Sequence, residues 1–374
     1  MKKTMILSLC GVLGCVALYF VTVRNTPVKI GFVATLSKGA FQLGPAGLNG
    51  VKLAVEEFNG AGGINGHPVE LIIEDDGDDH DKAWNAVNKV IEAGAVAIVG
   101  HMTSEMSFTT SPLVNEKQVL MLSPTSSTEM LTGKDDYFLR VYPSANVGVK
   151  KALSYAMDQH KLKRMAVIYD RSNYAFSESW KNCFIEQVKM RGEDVGAVIP
   201  FDSGQLENGF LPLVEQIAAA QVDGVLILAN PHDTAMLCQQ FSKLAQKPIL
   251  LASEWSYSPQ LKHHGGATVD DLLLVRTYMD DSNSTGTTDF IKKYSARFGE
   301  KPWFAAVHSY DAMRYLLAAL QRNGDATRLK QTMINYGVYR GVQSSIKLDQ
   351  NGDVDRIHYV KRLSGNKSKL VAQL

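Results

Sequence analysis

The strongest constraint on the fold is a regular alternation between two kinds of segment, which fills the chain from residue 28 onward. Short runs rich in β-branched and other apolar residues lie at 28–34, 69–75, 96–100, 119–122, 165–170, 195–199, 225–229, 249–253 and 272–276. Several of them, such as VLILA at 225–229, are apolar throughout, a pattern typical of strands buried on both faces. The runs therefore predict nine buried strands.

Amphipathic segments separate these runs. In GLNGVKLAVEEFN the apolar residues Leu48, Val51, Val55 and Phe58 recur at spacings of three and four, as on one face of a helix. Repeated β-α-β units predict an α/β protein with mostly parallel, doubly wound sheets. Nine strands are more than one such sheet usually holds, and a chain of 374 residues is long enough for two domains. The sequence therefore predicts two α/β lobes joined by several short hinges.

The N-terminus carries twenty uncharged residues, 4–23, behind Lys2 and Lys3. As a helix this run would be ~30 Å long, the thickness of a bilayer core. We interpret residues 1–27 as a retained membrane anchor, with a cleaved signal peptide or lipid attachment at Cys15 as alternatives. Each of these places the rest of the chain outside the cytoplasm, in the periplasm or its equivalent.

Composition and motifs exclude several classes of function. The 39 basic and 38 acidic residues give a net charge of +1, which argues against a nucleic-acid partner. The sequence has no phosphate-binding loop, no nucleophile elbow and no zinc-type spacing of Cys and His. We therefore expect no enzyme activity, no cofactor and no metal. Whether Cys183 and Cys238 pair is left open.

Ligands in doubly wound folds lie beyond the carboxyl ends of strands, so the loops there are the candidate site. Ser104 follows the third strand, and a loop with Thr125, Ser126 and Ser127 follows the fourth. The spacing of Ser126 and Glu129 predicts a capping box. Hydroxyl and amide donors at helix N-termini suit a carboxylate, although these residues could simply cap helices.

The corresponding loops of the second lobe offer other chemistry. Tyr174 follows the fifth strand, Asn230 ends the seventh, and Glu254 follows the eighth. A carboxylate at a strand end could neutralise a cationic group such as an ammonium. A glutamate on the protein surface is the alternative interpretation.

Several stretches resemble one known family. They are KIGFVATLSKGAFQLGPAGLNG, VAIVGHMTSEMS, LMLSPTSSTEMLT, DDYFLRVYPS, MAVIYDRSNYA and KLDQNGDVD with the later YVKRL. In order and spacing they are similar to the branched-chain amino-acid-binding proteins that supply ABC transporters, over about 28–363. The resemblance implies a type I periplasmic-binding-protein fold with a three-strand hinge. We expect lobe 1 to comprise 28–145 and 278–355, and lobe 2 to comprise 146–277 and 356–374.

The resemblance also implies roles for single residues. Ser104 matches the serine that binds the ligand α-carboxylate, and Thr125 to Ser127 match the turn that holds both ligand charges. Tyr174 matches an aromatic residue of the second lobe, and Glu254 matches the partner of the ammonium.

Three positions depart from the family pattern. Leu43 stands where members often have an aromatic residue, and Asn230 where they have tyrosine or glycine. Ser127 replaces the usual threonine but keeps a hydroxyl. The subsite for the ligand side chain is therefore expected to differ.

Together these features predict capture of an amino acid or similar small polar ligand by lobe closure, for ABC-type uptake through a permease or another inner-membrane partner. The alternative is a membrane-tethered receptor domain that senses an amino acid or amide and signals to a membrane partner.

Overall fold

The computed structural model describes residues 26–37, 43–365 and 367–374, which fold into an α/β protein. The strands are β1 (Val28–Ala34), β2 (Val69–Asp75), β3 (Ala97–Gly100), β4 (Leu120–Ser123), β5 (Phe138–Arg140), β6 (Arg164–Asp170), β7 (Asp194–Phe201), β8 (Gly224–Leu228), β9 (Ile249–Ala252), β10 (Leu273–Arg276), β11 (Tyr339–Arg340), β12 (Ser345–Ile346), β13 (Tyr359–Ser364) and β14 (Lys367–Gln373). The helices are α1 (Leu43–Gly60), α2 (His80–Glu92), α3 (Ser104–Lys117), α4 (Ala145–His160), α5 (Tyr174–Met190), α6 (Leu211–Ala219), α7 (Pro231–Phe241), α8 (Pro259–Gly265), α9 (Thr285–Phe298), α10 (Phe304–Arg322) and α11 (Leu329–Ile334).

Two sheets organise the molecule, as the alternating pattern predicts. The first has the order β2-β1-β3-β4-β5 and is parallel throughout. The second has the order β14-β13-β10-β9-β8-β6-β7, in which β13 and β14 are antiparallel additions to a parallel core. All nine predicted strands are present, with ends shifted by at most a few residues.

The prediction that all nine strands are buried on both faces is wrong for two of them. β2 and β7 lie at sheet edges, and most of their residues are partly or fully exposed. The central strands β3, β4 and β8 are buried along their whole length. The run VGAVI of β7 is apolar throughout and still forms an edge strand, whereas the run of β2 carries Glu70, Glu74 and Asp75.

Helices cover the sheets and link them. α10 packs against α1 beside the first sheet, and α4 packs against α5 beside the second. Within the described residues, the chain passes from the first sheet to the second at 141–144, leaves the second sheet at 277–284 for helices that include α10 beside the first sheet, and returns to the second sheet at 355–358. We call these segments the first, second and third crossovers.

Among the described residues, no helix is long and apolar enough to cross a membrane. The anchor predicted at residues 4–23 lies outside the described residues.

Cys183 and Cys238 are free thiols, both buried, and burial raises the pKa of each to about 12.

Candidate binding site between the sheets

A small cavity lies where loops of the two sheets meet. Its volume is about 20 Å³, which is room for roughly one water molecule. Its walls are formed by Leu43, Met102, Ser104, Thr125, Tyr142, Asn173, Phe176, Trp180, Ser253, Trp255 and Phe304. Three of the predicted site residues are among them, namely Leu43, Ser104 and Thr125.

Ser104 is the first residue of α3, directly beyond the end of β3. Thr103 caps the helix by accepting a hydrogen bond from the Met106 N–H, at 3.4 Å. The Ser104 hydroxyl accepts from the Ser127 N–H at 3.1 Å, so its own proton remains free to be donated. A free hydroxyl at a helix N-terminus suits a carboxylate.

The Thr125 hydroxyl, in contrast, is available to a ligand only as a hydrogen-bond acceptor. Its hydroxyl donates to the carbonyl oxygen of Met102 at 2.5 Å, so only its lone pairs remain for a ligand. Thr125 is therefore placed to accept a hydrogen bond, as an ammonium or amide would require.

Ser126 and Ser127 are buried behind this wall. The Ser126 hydroxyl is bonded to Ser107 at 2.7 Å, to Ser123 at 2.8 Å and to the Thr103 carbonyl at 3.1 Å. It joins the two hydroxyl-rich loops to each other. The predicted capping box with Glu129 is wrong, because Thr128 caps the short 3-10 helix that begins at Glu129.

Ser127 contacts the other side of the cleft. Its hydroxyl oxygen accepts from the indole N–H of Trp180, on α5, at 3.0 Å. Trp180 therefore bridges the two sheets while its ring forms part of the cavity wall.

The second sheet contributes an aromatic wall. Phe176 and Trp180 lie one turn apart on α5, with ring centroids 5.5 Å apart, and Trp255 meets Phe176 edge-on at 5.1 Å. Tyr142 and Phe304 add two further rings, 6.2 Å apart. These five rings make most of the cavity apolar, and such a lining favours an apolar or aromatic part of a ligand.

Glu254 is completely buried, and its carboxylate is held by hinge residues. Oε2 accepts from the Tyr142 hydroxyl at 3.1 Å and from the N–H and hydroxyl of Thr277 at 2.9 and 2.6 Å. Tyr142 belongs to the first crossover and Thr277 to the second. Glu254 itself is not part of the cavity wall formed by the described residues, whereas its neighbours Ser253 and Trp255 are.

A buried cation stands beside this carboxylate. Arg276 Nε lies 3.6 Å from Glu254 Oε1, close enough for attraction but too far for a hydrogen bond. The guanidinium also stacks 3.9 Å from the centre of the Tyr257 ring and donates to Asp280 at 3.1 Å. Burial raises the pKa of the Glu254 carboxyl, while Arg276 and the hydrogen bonds act in the opposite direction.

Tyr174 and Asn230 lie away from the cavity. Tyr174 is 47% exposed at the start of α5. The Asn230 side chain caps α7 by accepting from the Asp233 N–H at 2.9 Å, and its amide donates to Asp233 and to Ser203. The structure assigns neither of them a place in the cavity wall, and their predicted ligand contacts stay predictions.

Some lining residues were missed by sequence reasoning. Asn173 and Trp255 directly follow strand ends, next to the chosen Tyr174 and Glu254, so the strand-end rule could have found them. Phe304 begins α10, far along the chain from every strand-end loop, and no sequence signal connected it to the site.

Known proteins are similar to this chain over most of its length. A family model described as periplasmic binding protein matches residues 27–363. A Leu/Ile/Val-binding protein homolog of Brucella abortus is 24% identical over 369 residues, covering 96% of this chain and 95% of that protein.

Solved structures show the same fold. A leucine-binding protein of Thermotoga maritima superimposes with a TM-score of 0.84 at 24% identity, over 93% of this chain and 98% of that one. A solute-binding protein of an ABC transporter from R. palustris, in complex with benzoate, gives a TM-score of 0.81 at 20% identity, over 93% and 96%. The fold is therefore that of the type I periplasmic binding proteins.

Membership follows from the extent of the family match. It covers the first sheet, every crossover and all of the second sheet except β14, from just before β1 into β13. Proteins of this family bind solutes outside the cytoplasm and are not enzymes. The chain belongs to the periplasmic binding protein family.

Proposed function

We propose that this protein captures an amino acid with an apolar side chain, by closure of two lobes, for uptake through an ABC-type permease. The observation that carries the proposal is the composition of the cavity. A donating hydroxyl at the α3 N-terminus, Ser104, faces the aromatic rings of Phe176 and Trp255. A carboxylate would bind the hydroxyl, and an apolar side chain would bind the rings.

The names of two relatives support this ligand class, since one is a Leu/Ile/Val-binding protein homolog and the other a leucine-binding protein. They give no support to the alternative of a signalling receptor. A cavity of about 20 Å³ is too small for an amino acid, so binding requires the lobes to separate. We propose lobe boundaries of 28–145 with 278–355 and of 146–277 with 356–374, and the three crossovers support them.

A specific observation favours a second ligand class, the aromatic acids without an ammonium. Arg276 already lies next to Glu254, so the charge that an ammonium would neutralise has a partner within the protein. Five aromatic rings surround the cavity, and one solved relative holds benzoate. Both ligand classes share the carboxylate and differ in the ammonium.

Matched ligand pairs test the proposal. Calorimetry with the full-length protein would compare L-leucine with 4-methylpentanoate, and L-phenylalanine with 3-phenylpropanoate, with benzoate as a fifth ligand. Amino-acid capture predicts tighter binding of the amino acid in each pair. Preference for the acids would select the second class, and no binding of any of the five would refute both.

We also propose that residues 4–23 are retained as an anchor in the cytoplasmic membrane, which would tether the binding protein close to its permease. The support is the length of the uncharged run. The intact mass of the protein from its native membrane tests it. Loss of the first 24 or so residues would indicate a cleaved signal peptide, and a lipid-sized increase on a chain starting at Cys15 would indicate lipidation.

A further inference from the structure

Asn173 makes a hydrogen bond that joins the two sides of the cleft. It immediately precedes α5, yet its side chain does not cap that helix. Instead, its Oδ1 accepts from the backbone N–H of Glu105, in the first turn of α3, at 3.1 Å. Asn173 is only 4% exposed, so the acceptor of this bond is a buried side chain.

Glu105 makes the reciprocal hydrogen bond to the start of α5. Its Oε2 accepts from the backbone N–H of Ala175, in the first turn of α5, at 2.7 Å. Its Oε1 lies 3.0 Å from His80 Nε2, which positions the carboxylate from its own side of the cleft. Each helix N-terminus is thus capped by a side chain from the opposite side, and neither bond can form when α3 and α5 separate.

The orientation of the Asn173 amide follows from these bonds. Because the Glu105 N–H requires an acceptor, the carbonyl oxygen of the amide faces α3 and the NH₂ group faces away from it. Asn173 also forms part of the cavity wall, as does Ser104. Among the described residues, its Nδ2 has no hydrogen-bond partner, so an acceptor on a ligand would complete it.

We propose that Asn173, which no sequence motif selected, is a ligand-binding residue of the second lobe that also forms the closing contact with Glu105. Its NH₂ group donates to the ligand carboxylate, and its oxygen joins α3 only when the lobes are closed. One side chain would therefore both bind the ligand and hold the two lobes closed. The inference rests on the function proposed above, in either of its ligand classes.

Three variants separate the two roles of this amide. Glu105→Ala removes a closing bond but leaves the Asn173 donor in place. Asn173→Ala removes the donor and the closing bond that Asn173 accepts from the Glu105 N–H. Asn173→Asp keeps an oxygen that can accept from the Glu105 N–H but replaces the donor with an anionic oxygen. Asn182→Ala, an exposed asparagine on the same helix α5, is the matched control.

The probes are L-leucine and benzoate, measured by calorimetry and stopped-flow dissociation on full-length protein. Glu105→Ala should weaken both by about tenfold through faster dissociation, the effect of one charged hydrogen bond. Asn173→Ala should weaken both by about a hundredfold, since it removes the donor to the ligand carboxylate as well as one closing bond. Asn173→Asp should bind no better than Asn173→Ala. The control should match the wild type. Without ligand, the three variants should unfold in urea in a single transition, at a midpoint somewhat below that of the wild type, because each alters a bond that caps a helix N-terminus.

The outcomes are distinguishable. If the wild type binds a probe and Asn173→Asp binds it equally well, Asn173 does not recognise the carboxylate. If the wild type binds neither probe, the proposed function fails and the recognition role fails with it. Closure is then judged without ligand: hydrogen exchange of the Ala175 amide should be faster in Glu105→Ala, and an unchanged rate would refute the closing contact.

Discussion

Glu254 shows how far a single residue can be interpreted from its position in the sequence. Its place after β9 predicted a partner for an ammonium, and the structure puts it beside the cavity, bonded to Tyr142 and Thr277. Those partners come from crossovers more than twenty residues away on either side, so the sequence did not reveal them. Ser104 and Thr125 were easier to select from the sequence, because each lies in the loop or helix start that follows a strand of the same sheet.

Glu254→Gln tests the predicted role of that carboxylate. If Glu254 pairs with a ligand ammonium, the variant should weaken binding of L-leucine by more than about tenfold, because a charged hydrogen bond is lost. Binding of 4-methylpentanoate, which lacks the ammonium, should change little. Calorimetry with both ligands checks this, and equal losses for the two would remove Glu254 from that role.

His358, in the third crossover, should make stability depend on pH. Burial, with Lys151 nearby, lowers its pKa to about 4. Since the unfolded chain takes up a proton below about pH 6.5 and the folded chain does not, the free energy of unfolding should fall with pH below that value. The loss from this residue should be on the order of 2 kcal/mol at about pH 5.

The variant His358→Asn should be less stable at neutral pH but lose less on acidification, as measured by urea unfolding at the two pH values. An exposed histidine changed in the same way, His263→Asn, provides the control. His308, whose pKa is held well below its usual value by burial and by Arg356, is present in both variants and does not affect the difference. A pH dependence identical to that of the wild type would contradict the assignment.

Among the elements, β13 is a strand that the search for apolar runs did not find. β13 has the sequence YVKRLS, and Lys361 in its middle is completely buried. Its ammonium is compensated by Asp280 at 3.1 Å and Asp281 at 2.8 Å, which lie eighty residues earlier in the chain. No local pattern could predict that pairing, whereas the nine apolar runs indicated their strands without help from distant residues.

The packing of α1 against α10 depends on a glycine. A Cβ atom on Gly50 would lie 2.2 Å from the carbonyl oxygen of Ala306, a backbone atom that cannot move aside alone. Gly50→Ala should therefore destabilise the protein by about 1–3 kcal/mol, although alanine is the better helix former by about 1 kcal/mol.

The matched control is Gly60→Ala at the end of the same helix, where a Cβ atom would meet nothing within 4 Å. That change should be neutral or slightly stabilising. Urea unfolding of both variants measures the difference between them, and equal stability would show that α1 and α10 can move apart at little cost.

At the scale of the whole molecule, Arg356 connects the crossovers to one another. It lies in the third crossover, and its Nη1 donates to the carbonyl of Val141, in the first, at 3.2 Å. Nη1 also lies 2.8 Å from His308 Nδ1, and the His308 Nε2 lies 2.7 Å from the Thr277 hydroxyl of the second crossover. A buried polar chain thus runs from the third crossover through the second to Glu254 beside the cavity.

Arg356→Lys tests whether this chain holds the two lobes as one cooperative unit. A lysine keeps the charge but cannot reach Val141, His308 and Asp311 together, so at least one of these buried acceptors would lose its hydrogen bond. A buried acceptor left unsatisfied should cost about 1–3 kcal/mol of stability. Urea unfolding should show a lower midpoint than for the exposed Arg340→Lys. Equal midpoints for the two variants would mean that the crossovers hold the lobes without Arg356.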